Sequence, residues 1–268
     1  MLKTPSEFAA HLQAKQLFDQ TADNYFQRSR GSVYNFSSLI FRRRIAIVEG
    51  FIRRSAKLGG KTLDYGMGPA VFAECCTVAG MHYLGIDVSP EMVEQSKRLG
   101  LSNAEFHVGD LEALSAYKDQ NDVVLAIGLI DYLENVADGI ARLAACVRPG
   151  GQLILSFRNR YSVPVLLRNV SKIILRPFAG GSGHASGKAF FAKVHEKSFD
   201  LTRELIPHLA SLGFSGFEAR YFNCSPIFFN FPLSKSLWRA WYVMDRALAH
   251  PFTRLLCSGC VVVAKRAD

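Results

Sequence analysis

Leu63-Asp64-Tyr65-Gly66-Met67-Gly68-Pro69-Ala70 is a short apolar run that ends in an acid and breaks into paired glycines. It reads as a strand, a glycine turn and the start of a helix. Glycine lets backbone approach a ligand where a Cβ would collide, and the following helix aims its amino terminus at the same point. A dinucleotide fingerprint would continue as G-x-G-x-x-G, but Val71 stands where the third glycine belongs. Pro69 stiffens the turn.

Outward from this turn, short apolar runs alternate with helical periods. That alternation predicts a mostly parallel sheet with helices on both faces. Strands are expected at about 61–65, 82–86, 104–108, 121–127, 151–157, 215–222 and 260–265, with helices at about 70–79, 90–99, 135–147 and 200–212. Arg148-Pro149-Gly150-Gly151 is expected to stop the third of these helices, and Pro207 falls inside the last. Before the sheet, Ser6 is positioned to cap one helix, while Leu39, Ile40, Ile45, Ile47, Val48, Phe51 and Ile52 give a second an apolar face studded with arginines. The expected architecture is a Rossmann-like, seven-stranded, mostly parallel α/β sheet. An amino-terminal helical lid occupies 1–60, and the main domain, 61–268, carries cap insertions at about 158–194 and 223–257, after strands five and six.

Three acids stand at or just past successive strand ends. Asp64 closes the first. Asp87, about 20 residues past the glycine turn, is placed to accept both hydrogen bonds of a ribose diol. Asp110 follows the third and is placed to accept from an adenine amino group, with Val88 and Leu111 as apolar neighbours for the ring. Each acid alone reads better as a cap or a solvated loop residue. In this order, and without a Gly-Lys-Ser/Thr phosphate loop, they favour an adenosyl ligand lacking phosphates.

The chain has 268 residues, 49% of them hydrophobic, which suffices for a sizeable core. Its apolar runs fall short of the roughly 18 to 20 residues of a membrane span, and its first residues lack a secretory pattern, so a cytoplasmic location is expected. The six cysteines do not form a disulfide framework by spacing, and reduced thiols are the simplest reading. No metal site is expected, because the Cys257/Cys260 pair supplies only half of one. The net charge of +9 is uneven: residues 1–61 carry +7, 62–150 carry −8 and 151–268 carry +10. Basic flanks around an acidic middle suit an anionic acceptor, an anionic membrane or RNA, and equally an ordinary solvated surface.

LDYGMGPA at 63–70, LGIDVSPEMVEQSKR at 84–98, VGDLEAL at 108–114, NDVVLAIGLIDYLEN at 121–135 and VRPGGQLILSF at 147–157 resemble, in order and spacing, the class I S-adenosylmethionine-dependent methyltransferases. The resemblance covers most of 19–222 and the last strand. It implies that Asp64, Gly66 and Gly68 line the methionine portion of S-adenosylmethionine, that Asp87 takes the ribose hydroxyls, and that Asp110 with Leu111 meets the adenine. It further implies that Ile127 and Gly128 lie near the sulfonium. Ala70 stands where many members have a third glycine. The flanks, FDQTADNYFQRSRGSVYNFSSLIFRRRIAIVEGF and SFRNRYSVPVLLRN, look like a subgroup of small-molecule O-methyltransferases that includes magnesium-protoporphyrin methyltransferase-like proteins.

A sulfonium methyl is already activated, so the protein must align the acceptor and, for a hydroxyl, remove its proton. His195 and His184 are candidate bases; Tyr132 and Asp131 are candidates for orienting the acceptor. Helix entry, a solvated loop and half-buried packing are the plain roles for His195, His184 and Tyr132. Arg28, Arg30, Arg42, Arg43, Arg158, Arg160 and Arg168 belong to segments expected to overhang the carboxyl ends of the strands. Among them Arg43 and Arg158 are the candidates for holding a carboxylate or phosphate on the acceptor. The segment 222–252 interleaves aromatics with Lys235, Arg239 and Arg246, as befits either a packed cap or a peripheral membrane contact. The expectation is O-methylation of a small or lipid-linked, anionic acceptor. An RNA methyltransferase is the enzyme alternative, disfavoured by the absence of a recognisable RNA-binding module, and a non-catalytic accessory protein that keeps the cofactor fold is the other.

Overall fold

The computed structural model describes residues 33–163, 165–167, 197–224, 232–249 and 251–268. The predicted helix capped by Ser6 lies outside them, as do the glycine-rich loop at 180–188 and Arg28, Arg30, Arg168, His184 and His195.

Helix α1, Phe36–Ser55, starts where Asn35 and Ser38 form a reciprocal capping box: the Asn35 side chain accepts from Ser38 N and the Ser38 hydroxyl from Asn35 N. The sheet then builds through β1 (Lys61–Tyr65), α2 (Ala73–Val78), β2 (His82–Asp87), α3 (Pro90–Lys97), β3 (Ala104–Val108), β4 (Asn121–Ile127), α4 (Val136–Ala145) and β5 (Val147–Arg158). It is completed by α5 (Ile206–Ser211), β6 (Phe214–Phe222), α6 (Lys235–Leu248) and β7 (Gly259–Arg266). The seven strands lie in the order β3-β2-β1-β4-β5-β7-β6, with β7 antiparallel to both of its neighbours.

Because alternate residues face opposite sides, the sheet has two cores. Leu63, Val124, Leu153, Leu155 and Val262 meet Ile140, Leu143 and Leu209 on one face. On the other, Val123, Leu125, Ile154 and Val261 meet Val48, Phe51 and Ile52 of α1 and Ala73 and Cys76 of α2. The carboxyl-terminal half of α1 is thus part of the core, leaving its amino-terminal half to overhang the sheet edge.

The structure shifts several sequence expectations for local reasons. Helix α2 begins at Ala73 rather than near 70, because Gly68 and Ala70 take positive φ (53° and 45°). Helix α4 stops at Ala145, and Pro149-Gly150 lie within β5, whose pairing with β4 shifts register between Asn121 and Val123. Pro207 sits in the first turn of α5, where its missing N–H costs nothing, behind a π-helical turn at Leu201–Leu205 that Asp200 caps.

The expectation of reduced thiols throughout is wrong. Cys224, just past β6, and Cys257, just before β7, form a disulfide. The antiparallel pair Phe222↔Gly259 brings these positions together across 33 residues of sequence, a proximity that spacing cannot reveal. Cys75, Cys76, Cys146 and Cys260 are free.

Helix α6 is fastened to α1 through its aromatic face. Trp238 is buried with Phe36, Leu39 and Leu233; its indole N–H donates to Asn35 O and Ser38 Oγ, and the Arg42 guanidinium lies 5.0 Å from its ring centre. At the middle of α6, Asp245 accepts from Arg43 Nε at 2.9 Å and from Cys224 N at 2.6 Å. Both charged side chains are buried. Removing one partner of such a pair strands the other, which typically costs about 3–5 kcal/mol. Asp245→Ala is therefore expected to lower the urea unfolding free energy by about that amount. A loss below about 1 kcal/mol, the range of an exposed ion pair, would show that the pair does not clamp α6.

Candidate functional site

In open parallel sheets, ligands bind outside the carboxyl ends of the strands where strand order reverses. Here that point lies between β1 and β4, and a cavity of about 550 Å³ opens there. Its wall brings together Asp64, Gly66, Gly68, Asp87, Val88, Ile127, Gly128, Tyr132 and Arg158, all expected from sequence.

Its floor is the glycine turn, held by backbone bonds to β2. Gly66 N and Met67 N both donate to Ile86 O. Asp87 Oδ2 accepts from Gly68 N at 2.8 Å and Oδ1 from Ser89 N at 2.9 Å. Gly66 is required: its φ is +70°, and a Cβ there would stand 2.8 Å from Leu129 Cδ1. Below the turn Asp64 is fully buried, its carboxylate accepting from Tyr83 Oη at 2.7 Å. Burial pushes its pKa up to about 7, opposed by the Tyr83 hydrogen bond and reinforced by the charge of Asp87.

These residues fit an adenosyl ligand. Asp87 lines the cavity beside the glycine turn, and a carboxylate is an acceptor suited to the paired hydroxyls of a ribose. Asp110 and Leu111 are not part of the cavity wall. Asp110 Oδ1 accepts from Glu112 N, and Leu111 packs against the core. Both begin the loop beside Asp87, because Gly109 N donates to Asp87 O.

The opposite wall was only partly legible. Ser37, Ile40, Phe41, Arg44 and Ile45 of α1 line it, with Ser156 and Arg158 at the end of β5, and Phe222, Asn223, Ser258 and Gly259 beside the disulfide. Arg43 does not contribute: its guanidinium is engaged by Asp245 and lies 5.0 Å from the Tyr242 ring centre. Arg44 is the arginine of that run that faces the cavity. It comes so close to Gly128 (φ +70°) that a Cβ there would meet Arg44 Nη1 at 2.5 Å. Gly128 N in turn donates to Ser156 Oγ at 2.7 Å.

Asp131 and Tyr132 sit on the short 3₁₀ turn Ile130–Tyr132 after β4. Burial pushes the Asp131 carboxyl up to about 6, against the charges of Arg158, Arg44 and Lys197. Its Oδ1 is buried without a hydrogen-bond partner among the described residues. No metal-ligating cluster occurs among the described residues.

Residues 63–155 match the family model described as a methyltransferase domain. The ubiquinone biosynthesis O-methyltransferase of Aromatoleum aromaticum is 33% identical over 116 residues, 41% of this chain and 49% of that protein. The Xanthomonas oryzae pv. oryzae enzyme of the same name is 32% identical over 133 residues, 47% of this chain and 55% of that one. The chain thus spans about half the length of these curated relatives. Magnesium protoporphyrin IX methyltransferase from Synechocystis, solved with bound S-adenosylhomocysteine, superposes with a TM-score of 0.59 at 18% identity, covering 95% of this chain and 98% of that one. A phosphoethanolamine N-methyltransferase from Haemonchus contortus gives 0.58 at 14%, covering 96% and 59%. At such identities the likeness is one of fold.

Asp87→Ala is expected to weaken S-adenosylhomocysteine binding by about 10- to 100-fold, since hydrogen bonds to a charged group contribute about 1.5–3 kcal/mol. Isothermal calorimetry reads this directly. An unchanged Kd in a folded variant would remove Asp87 from the site. The cavity and the glycine turn coincide with the segment, residues 63–155, that matches the methyltransferase-domain model, and the surrounding fold is the one these solved methyltransferases share.

Proposed function

We propose that the protein transfers a methyl group from S-adenosylmethionine to a hydroxyl oxygen of a small or lipid-linked acceptor that carries an anionic group. The observation that carries this reading is Asp131: a carboxylate in the cavity wall, with one oxygen lacking a hydrogen-bond partner among the described residues and a pKa near 6. The curated relatives' name, an O-methyltransferase, agrees with an oxygen acceptor.

The glycine turn and Asp64 hold the methionine end of the donor, and Asp87 holds the ribose hydroxyls. The adenine end runs past Val88 toward the loop that Asp110 and Leu111 begin. When bound, the donor supplies a sulfonium methyl, whose C–S bond breaks with both electrons returning to sulfur as the new O–C bond forms. Ile127 and Gly128 shape the wall beside that carbon. Tyr132 orients the acceptor. Arg44 and Arg158 pair with its anionic group, and Asp131 takes the hydroxyl proton. His184 and His195 remain candidate bases on a segment outside the described residues.

A cavity of about 550 Å³ lies in the range of small-molecule sites, about 300–1,000 Å³, which favours this class of acceptor over an RNA strand.

A base with a pKa near 6 acts only when ionised, so kcat/KM should rise as pH passes through about 6 and then level off. Assayed on phenolic carboxylates with labelled donor, Asp131→Asn should lose about 10²- to 10⁴-fold in kcat and the limb near pH 6. Its affinity for S-adenosylhomocysteine should be unchanged. Full activity with an unaltered pH profile would reassign the base.

A further inference from the structure

Helix α6 is amphipathic in an unusual sense, because its outward face is also apolar. Trp238, Trp241, Tyr242, Asp245 and Leu248 recur at three- and four-residue intervals and turn toward α1 and the core. Leu237, Ala240, Val243, Met244 and Ala247 recur in the same way on the other side and are exposed; Leu237 is 47% and Val243 65% accessible. The 3₁₀ turn after α6, Pro251–Leu256, extends this stripe with Phe252, 91% exposed, and with Leu255 and Leu256.

Charge says what would cover it. Between 232 and 256 the basic residues are Lys235, Arg239, Arg246 and Arg254, all exposed. The sole acid in that span, Asp245, is buried and committed to Arg43. An exposed apolar stripe flanked by cations and free of exposed acid is the pattern of a helix lying in a lipid interface: apolar side chains enter the acyl boundary while arginines reach phosphate. A second protein partner with the same pattern would bring like charges together, and a second copy of this chain would do so by symmetry. No helix among the described residues is long and apolar enough to cross a bilayer, so contact here is with the surface.

We propose that the outward face of α6, continued by Phe252, Leu255 and Leu256, docks on the surface of an anionic lipid bilayer. Its inner face packs on the amino-terminal half of α1, whose next faces carry Ser37, Ile40, Phe41 and Arg44 into the cavity wall. Docking would therefore place the cavity one helix away from the lipid, within reach of an acceptor held in the membrane.

The test is co-sedimentation of the full chain with phosphatidylcholine vesicles and with phosphatidylcholine vesicles containing phosphatidylglycerol. The protein should pellet with the anionic vesicles, and less so as salt is raised. Val243→Asp/Met244→Asp and Arg239→Glu/Arg246→Glu should each reduce partitioning by about tenfold or more, since each basic residue near an anionic surface contributes roughly a fivefold preference. Both variants should bind S-adenosylhomocysteine as the parent does, so the result stands apart from the methyl-transfer reading. Failure of the parent chain to pellet with anionic vesicles, or pelleting that neither variant weakens, would overturn the proposal. So would a dimer in sedimentation equilibrium that Val243→Asp/Met244→Asp dissociates, since it would give the face to a second copy.

Discussion

The Asp87 carboxylate, accepting one backbone N–H from Gly68 and another from Ser89, is the constraint on which the rest of the site depends. It ties the turn after β1 to the start of α3, while Ile86 O takes Gly66 N and Met67 N. The turn is thereby fixed without any ligand, and a site ordered in advance does not spend binding energy on loop ordering. The arrangement has a cost directly beneath it. Asp64 is folded with its pKa near 7 rather than 3.8, so the native state holds its proton more tightly than the unfolded chain. Stability contributed at low pH therefore declines as pH rises between those values, and the Tyr83 hydroxyl limits that loss.

The sheet was legible because its signals are local. Alternating apolar runs marked all seven strands to within a few residues, and the glycine turn with Asp87 located the crevice. Each of these depends on a residue and its near neighbours in sequence. The misplaced boundaries have the same origin: Pro149-Gly150 reads locally as a stop, yet β5 already pairs with β4 at Val147 before it and resumes that pairing at Gln152 after a register shift.

What escaped the sequence was decided by contacts across long separations. Arg42, Arg43 and Arg44 look equivalent in a row, but successive helical residues point about 100° apart. The phase of α1 sends Arg42 over Trp238, Arg43 to Asp245 and Arg44 to the cavity. The apolar stripe indicates which face of α1 turns inward, but what each arginine meets depends on where α6 and the cavity lie. The Cys224–Cys257 disulfide is hidden in the same way, because it follows from β6 and β7 being sheet neighbours. The family match stops at 155, whereas Arg44, Arg158 and the residues around 222 and 258 lie beyond it. The glycine turn and Asp87 thus fall within the segment that matches the family model, and the wall built by Arg44, Arg158, Phe222 and Ser258 falls outside it.

In the cavity wall, burial and charge compete at Asp131, and burial wins: three nearby cations would hold an exposed carboxyl below its ordinary value, yet its pKa stands near 6. This bears on the proposed reaction. An acceptor whose anionic group pairs with Arg44 and Arg158 offsets two of the charges that favour the ionised form of Asp131. The carboxylate then becomes more basic when the acceptor is seated than when the cavity is open to water. In the proposed reaction the same two arginines would couple acceptor recognition to proton removal, so a neutral analogue of equal shape would lose both affinity and the base strength that binding confers.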